Sequence, residues 1–483
     1  MSNKMTVAHI AAEKEFPHFT LYKPKPNGGY EFDFVKLTAF FTTRGFFIFR
    51  TSVDKFFPIR IIDNIVKQVG KKELKDEILE FLINVDKCPE YIHQFALKDI
   101  AKAVNDEFLE TLPAKNVIFR KDKKDAMQIY YQNCIVKITQ HKITTHDYTE
   151  LDGYIWESQI LNRPYLPTDT VLDSDFKKFC FNISNQDTER YKSICSVIGF
   201  LIHNFKSPSY CPAIILNDEV ISDHPEGGTG KGILIKAVEQ FLTTVTIEGK
   251  TFNFDKNFVY QSVNSDTKLL SFQDVNKSFD FERLFSVLTD GINVEKKGLQ
   301  SIHYDFYDTP KIVITTNYAI RGVGNSHERR RLELEISQYY NKTRTPLDEF
   351  KKMMFVEWGP DEFSLFDVFI IECCQFYLSN GLIQQQLINL PEKRLMAETD
   401  YDFLQFMETR ELVTTSKNDF YLDFTREYPE KLRDKFFTKQ KLTKWLRSYA
   451  AFHGYKMPEK DYIYQSIRYY TFEKLQTITK LEP

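Results

Sequence analysis

The sequence predicts an α/β protein whose central sheet carries a glycine-rich turn between a strand and a helix. Residues 213–216 form a short apolar run typical of a buried strand, and apolar residues recur at helical spacing from 233 to 242. The turn between them ends in Pro-Glu-Gly-Gly-Thr-Gly-Lys at 225–231. From about 207 to 345, strands and helices then alternate, which is the pattern of a parallel sheet.

The rest of the chain follows in order from local patterns. In the first 110 residues we expect a strand and two helices, at 44–50, 71–83 and 93–108. Alternating runs then predict strands at 127–131 and 134–138, and helical periodicity returns at 175–206 and 347–382. The last part carries a basic amphipathic helix at 439–447 and a hairpin-like alternation at 462–470, the order of a winged helix.

The glycine-rich turn has the composition of a phosphate-binding loop. Glycines let backbone N–H groups converge on phosphate oxygens, and the following helix presents its positive N-terminus. Lys231 would reach the β- and γ-phosphates. The full signature GxxxxGK[ST] is broken by Pro225 and Gly232, so an ordinary glycine turn is the alternative. The candidate nucleotide-binding residues are Gly227, Gly228, Thr229, Gly230, Lys231 and Gly232.

Three further sites in the following segment could complete a nucleotide hydrolase. Asp274 follows the strand at 269–272 and would hold a metal ion or polarise water, with a helix cap as the alternative. Asn317 ends the strand at 311–316, where an amide can touch both the γ-phosphate and the attacking water. Arg329, Arg330 and Arg331 precede the next strand and could act on a neighbouring subunit; a solvated charge run is the alternative.

Composition limits the classes of function. A net charge of −3, from 64 basic and 67 acidic residues, excludes nucleic-acid binding by bulk charge, so any such contact must be a local patch. The seven cysteines show no C-x-x-C pair, so we expect neither zinc nor disulfides. The same cysteine pattern favours a reducing cytoplasm. No apolar run of about 18 residues occurs, so we expect no membrane contact.

With Lys231, Asp274 and Asn317 evenly spaced and Arg330 close behind, the chain resembles the superfamily 3 helicases, specifically the poxvirus- and phage-type primase-helicases of the AAA+ class. The resemblance covers about 175–345 and extends loosely to the C-terminal winged unit. It implies a P-loop AAA+ ATPase core, ATP and Mg²⁺ as cofactors, and Asp274 as the metal ligand. It also implies a homo-hexameric ring in which an arginine acts in trans.

This family carries a lysine-bearing hairpin that lines the central pore, and residues 290–298 with His303 and Tyr304 match it. The resemblance implies that DNA is contacted by Lys296, Lys297, His303 and Tyr304. The residues alone fit a charged surface turn as well as they fit a DNA-binding hairpin. Residues 1–175 hold no set of strand carboxylates for a primase, so the primase domain is expected to be absent and a separate primase or polymerase to be a partner.

Local sequence patterns, together with the resemblance over about 175–345, divide the chain into six expected regions. They are an N-terminal accessory α+β domain (1–110), a β-rich connecting region (111–174), a helical lead-in (175–206), the superfamily 3 AAA+ ATPase core (207–345), a helical segment (346–390) and a winged-helix-like C-terminal domain (391–483).

The leading hypothesis is an ATP-dependent DNA helicase or translocase of a phage or mobile element. It would act in replication as a ring on single-stranded or forked DNA, in the cytoplasm of a bacterial host. The first alternative is a DNA-binding replication initiator or scaffold with weak or no ATP turnover. This alternative is suggested by Gly232 and by Gln273, which replaces one of the paired carboxylates usual before the strand end. A lower alternative is an ATPase in a phage-defence system.

Overall fold

A computed structural model describes residues 19–52, 55–168, 173–219, 228–297, 301–320, 322 and 324–475. The chain has a mixed α/β fold with a parallel central sheet and several domains, which confirms the predicted fold class at that level. None of the helices in these ranges is long and apolar enough to cross a membrane.

The N-terminal region is built on a four-stranded sheet in the order β3-β4-β5-β9. Its elements are β1 (Tyr22–Pro24), β2 (Tyr30–Phe32), α1 (Phe34–Thr43), β3 (Phe46–Ser52), β4 (Lys55–Ile62), β5 (Ile65–Gln68), α2 (Lys71–Glu80), α3 (Glu90–Ala103), α4 (Asp106–Thr111), β6 (Ala126–Tyr130), β7 (Ile135–Thr139), β8 (Ile143–His146) and β9 (Ile155–Trp156). Strand β9 pairs in parallel with β5 through Ile65 and Ile155. The sheet therefore crosses residue 110, where the sequence had suggested a domain boundary.

The predicted helix at 93–108 is two helices. Val104 leaves helical geometry with ψ at 76°, and Asn105 caps α4 by accepting a hydrogen bond of 2.8 Å from the backbone N–H of Phe108. Asparagine competes with the helix through such local bonds, and this explains the break.

The central sheet has five parallel strands in the order β11-β12-β15-β10-β16. The elements of this region are α5 (Asp175–Ile183), α6 (Thr188–Ile202), β10 (Ala213–Asp218), α7 (Lys231–Glu239), β11 (Thr244–Glu248), β12 (Leu269–Val275), α8 (Phe285–Thr289), β13 (Gly291–Val294), β14 (Ile302–Asp305), β15 (Lys311–Thr316), α9 (Asn325–Glu328) and β16 (Arg331–Ile336). In the register, Asn217 lies opposite Thr316 and Asp218 opposite Ile336, so the carboxyl ends of three strands meet at one edge.

Both faces of this sheet are buried, as parallel sheets require. Along β10, Ile214 and Leu216 join a hydrophobic core with α5, α6, α7 and α11 (Pro360–Asn380), whereas Ala213 and Ile215 join a second core with α8 and β13. The expected lead-in, core and following helical segment thus share one core. The predicted helical segment at 347–382 is interrupted, because α10 (Pro346–Phe350) ends at Lys351 with φ at +57° and α11 begins at Pro360.

The C-terminal region forms a separate hydrophobic core around Phe403, Phe424 and Trp445. Its elements are α12 (Leu390–Glu398), α13 (Tyr401–Glu408), β17 (Thr415–Ser416), α14 (Lys417–Glu427), α15 (Lys439–Phe452), β18 (Tyr455–Lys456), β19 (Tyr462–Tyr464), β20 (Ile467–Tyr470) and β21 (Glu473–Lys474). Thr438 caps helix α15, since its hydroxyl accepts a hydrogen bond from the Lys441 N–H. The predicted hairpin is present, and its sheet has the order β17-β20-β19.

A buried ion pair joins the β-rich region to α11. The guanidinium of Arg163 donates to both carboxylate oxygens of Asp367, at 2.9 Å from Nε and 2.7 Å from Nη2, and the Asp367 side chain is only 2% exposed. The rings of Phe241 and Phe363 lie 5.0 and 5.1 Å from the same guanidinium. This arrangement satisfies the charge of a carboxylate that is otherwise cut off from water.

We predict that Arg163→Met lowers the free energy of unfolding by about 3–5 kcal/mol, because Asp367 is then left buried without its cation. The double variant Arg163→Met/Asp367→Leu should recover part of that loss. Lys23→Met, which removes an exposed pair with Glu31 at 3.5 Å, should cost under about 1 kcal/mol and serves as the control. Urea unfolding measures all three; equal midpoints for Arg163→Met and Lys23→Met would contradict the prediction.

Candidate functional site

The glycine-rich turn reaches the first residue of α7 through a left-handed backbone. Gly230 has φ at +103°, and a Cβ built there would lie 2.7 Å from Cζ of Phe179 on α5. Only glycine fits this position, since other residues would be strained and would also collide with the ring. Gly227 lies outside the described residues, so the structure describes the turn from Gly228 onward.

Lys231 lies at the N-terminus of α7 and is buried, with 6% of its surface exposed. Its ammonium contacts the carboxylate of Asp218 at the end of β10 and donates to the side-chain oxygen of Asn317 at 2.8 Å. The hydroxyl of Thr229 donates to the same Asp218 oxygen at 2.5 Å. Burial lowers the pKa of Lys231, and Asp218 opposes that effect. We call these four residues the lysine cluster.

Asp274 lies in a β-bulge at the end of β12. The register with β15 shifts between Phe272 and Val275, and Asp274 has φ at +53°. Its backbone N–H donates to the hydroxyl of Thr315 at 2.8 Å, which holds this conformation. Bulges of this kind re-aim a side chain, and left-handed non-glycine residues are concentrated at functional sites. The exposed Asp274 carboxylate borders the same cleft as Lys231.

The cleft has a volume of about 460 Å³ and lies at the carboxyl edge of the sheet. Its charged lining consists of Lys231, Lys236, Lys250 and Asp274, so cations exceed carboxylates. Lysines beside a helix N-terminus favour a phosphate anion, and an accessible carboxylate favours a hard cation such as Mg²⁺. A Cβ at Gly232 would meet no atom within 4 Å, so this position leaves open space beside the helix start.

The three arginines lie at the other end of the sheet. Arg331 begins β16 opposite Ala213, whereas Asp218 is opposite Ile336; the strand rise puts roughly 15–20 Å between these two ends. Arg331 is buried and its Nε lies 2.8 Å from Glu333. The structure therefore does not bring any of the three to Lys231 within one chain.

Arg329 and Arg330 differ from Arg331 in their surroundings. Arg329 is exposed. Arg330 is half-buried, its guanidinium lies 4.5 Å from the centroid of the Phe285 ring, and it donates to the backbone oxygen of Ser326 at 3.0 Å. Of the three, only Arg331 forms an ion pair with a buried carboxylate, that of Glu333 on the same strand.

The segment proposed as a pore hairpin is an antiparallel hairpin of β13 and β14. Lys297 and His303 are exposed, and Lys296 is half-buried with its ammonium 2.5 Å from the side-chain oxygen of Asn264. Tyr304 packs against the hydrophobic core under β12, and burial raises its pKa. Its ring is thus used in packing, whereas Tyr307 in the following turn is exposed.

Two residues of the site were missed by the sequence analysis. Asp218 ends β10, and Asn317 follows the neighbouring strand β15. Because the carboxyl ends of neighbouring parallel strands lie together, the sequence could have predicted that Asp218 belongs to the site. Thr315 carries no distinguishing signal, since its role depends on the bulge in the adjacent strand.

We predict opposite effects for two neighbouring glycine substitutions. Gly230→Ala should lower the free energy of unfolding by about 1–2 kcal/mol, because alanine is strained in the left-handed conformation. The collision of its Cβ with Phe179 should increase this loss. Gly232→Ala, inside α7 and in open space, should be neutral or stabilise by up to about 1 kcal/mol. Thermal unfolding of the two variants checks this, and a Gly230→Ala protein as stable as the parent would contradict the left-handed conformation at Gly230.

The comparisons with known proteins give one family match and weak structural likenesses. A family described only as a family of unknown function (DUF5906) matches residues 224–331. No curated protein matches the chain. An A-form apo structure of the NrS-1 C-terminal region aligns with 91% of this chain and 100% of its own at 13% identity and a TM-score of 0.42. Another apo structure of that region covers 91% and 99% at 12% identity and a TM-score of 0.39.

Proposed function

We propose that this protein is an ATP-dependent DNA translocase or helicase acting in replication, with a P-loop core of the superfamily 3 AAA+ type. The observation that carries the proposal is the meeting of Lys231, Asn317 and Asp274 at the carboxyl edge of the parallel sheet. The connection that follows β10 runs to β11 at one side of the sheet, whereas the connection that follows its neighbour β15 runs to β16 at the other side, so the two leave in opposite directions. Ligands of open α/β sheets bind at such a switch point, outside the carboxyl ends of the strands.

The residues of the cleft fit ATP and Mg²⁺. Lys231 and the N-terminus of α7 would hold the phosphates, which would take the place of the Asp218 carboxylate at the lysine ammonium. Asp274 would hold Mg²⁺, which when bound neutralises charge on the phosphates. Asn317 would hydrogen-bond the terminal phosphate or orient the attacking water through its amide.

The position of the arginines supports a ring of subunits, as the resemblance implies. Because they lie at the amino end of β16, Arg329 and Arg330 could reach a nucleotide only on a neighbouring subunit. Arg331 is not proposed for this role, since its guanidinium pairs with Glu333. In such a homo-hexamer, the exposed Lys297 and His303 of the hairpin would contact the phosphates of single-stranded or forked DNA.

A second candidate function, a DNA-binding initiator or scaffold, is favoured by the C-terminal region. Residues 435–475 contain nine Lys and Arg against three Asp and Glu. The strand order β17-β20-β19 with α13, α14 and α15 supports a winged helix, and the hairpin exposes Tyr462 and Tyr464. This unit would bind DNA whether or not the cleft hydrolyses ATP.

We predict that Lys231→Ala lowers ATP affinity about 100-fold, since truncating one partner of a buried charge pair costs about 2–5 kcal/mol. Lys256→Ala, at an exposed position between β11 and β12, should leave affinity unchanged. Titration with a fluorescent ATP analogue measures both. Turnover should rise with single-stranded DNA in the parent protein and be lost in Asp274→Asn.

The outcomes separate the two candidate functions. Equal ATP affinity for the two lysine variants would contradict the nucleotide site itself. ATP binding that depends on Lys231, with negligible turnover in the presence of DNA, would instead favour the initiator or scaffold.

A further inference from the structure

Five cationic side chains surround a second cleft, at the edge of the sheet opposite Lys231. We name it the basic cleft; its cations are Arg120, Lys121, Lys206, Lys268 and Lys311. They come from the segment before β6, the segment after α6 and the starts of β12 and β15. Asp308, the acidic residue of the lining, forms an ion pair with Lys121 at 2.6 Å, and the other four cations give the cleft its positive charge.

Two of these lysines are buried, and in the described parts of the chain their ammoniums donate to backbone oxygens. Lys206, 6% exposed, donates to the backbone oxygens of Phe306 at 2.6 Å and Thr309 at 3.0 Å. Lys311, 4% exposed, donates to the backbone oxygens of Phe200 and His203 near the end of α6. Burial lowers the pKa of each to about 8, so both remain mostly charged at neutral pH. The carboxylates of Asp122 near Lys311 and Asp308 near Lys206 oppose this lowering of the pKa only in part.

Lys268 and Arg120 keep donors that the described structure leaves unused. No hydrogen bond of the Lys268 ammonium is present among the described residues, and burial lowers its pKa. The Nε–H of Arg120 is buried and has no acceptor in that same part of the molecule, while its Nη1 donates to the backbone oxygen of Asp152 at 3.3 Å. The unpaired Nε–H of Arg120 is buried and costs free energy, which an anionic ligand would recover, whereas Lys268 is only half-buried.

An exposed aromatic ring lies at the mouth of the basic cleft. Tyr307 is 53% exposed, and the ammonium of Lys121 lies 6.0 Å from its ring centroid. The turn is held by Asp305, whose carboxylate accepts the N–H groups of Tyr307 at 2.9 Å and Asp308 at 3.2 Å. This turn joins β14 to β15, so it is the base of the β13–β14 hairpin.

We propose that the basic cleft binds a phosphodiester of single-stranded nucleic acid and that Tyr307 stacks on the adjacent base. The cations recognise the phosphate, and a ring offered to solvent beside them stacks on an unpaired base, which a duplex does not present. The assignment rests on the proposed function only in its choice of ligand. It adds a contact at the hairpin base to those expected from the hairpin lysines.

The test measures binding of fluorescein-labelled oligo(dT) of about 20 nucleotides to the full chain in nucleotide-free buffer, at several salt concentrations. Lys268→Gln should weaken binding about 5–10-fold and reduce the slope of log affinity against log salt by about one. Tyr307→Ala, an exposed position, should weaken it about tenfold without changing that slope. Lys256→Gln is the matched control, since it removes an exposed lysine outside the basic cleft.

Three outcomes would decide the proposal. Oligo(dT) affinities equal to that of Lys256→Gln for both variants would overturn the proposal. A second contradicting outcome combines two results: inorganic phosphate raises the melting temperature of the parent protein but not of Lys268→Gln, and both proteins bind oligo(dT) equally. The cleft would then be a site for free anions. Losses in both variants from a protein that binds no ATP would refute the proposed function and leave this assignment standing.

Discussion

The buried ammonium of Lys231 is the interaction on which the candidate site depends. From the start of α7, this ammonium contacts Asp218 at the end of β10 and Asn317 at the end of β15, so it links three elements. An ammonium removed from water costs several kcal/mol unless an anion is beside it. An anion at this end of the sheet therefore stabilises the site. Asp218 fills that place in the structure, and a phosphate of ATP would fill it in the proposed complex.

The parallel sheet separates two kinds of site. The lysine cluster and Asp274 lie at its carboxyl edge, whereas Arg330 and the basic cleft lie at its amino edge. A second buried carboxylate, Glu333 on β16, contacts both Arg331 and Arg394 of α12. The edge strand that begins at the arginines is thus tied to the C-terminal region. In the proposed ring, a movement at one subunit's nucleotide would reach its neighbour through this strand.

Much of this arrangement could be predicted from local sequence, because strand ends and helix starts are local features. Four strands of the central sheet follow from short apolar or alternating runs, and the approach of Asn317 to Lys231 follows from the geometry of parallel strands, whereas β11 was not predicted. What could not be predicted depends on distant partners. The ion pair of Arg331 could not be predicted because it depends on where the Glu333 carboxylate lies in the folded strand. The packing of Tyr304 depends on the hydrophobic core beneath the hairpin. Sheet pairing across residue 110 is likewise a long-range contact.

The central claim is that one subunit supplies the lysine cluster and its neighbour supplies an arginine. Mixing two inactive proteins tests it most directly: Lys231→Ala, which keeps its arginines, and Arg329→Ala/Arg330→Ala, which keeps its cluster. ATP hydrolysis with single-stranded DNA should be lost in each alone and return in a reassembled equal mixture to about a quarter of the parent rate, as random neighbours give. A mixture as inactive as its components, or an arginine variant as active as the parent, would contradict the claim.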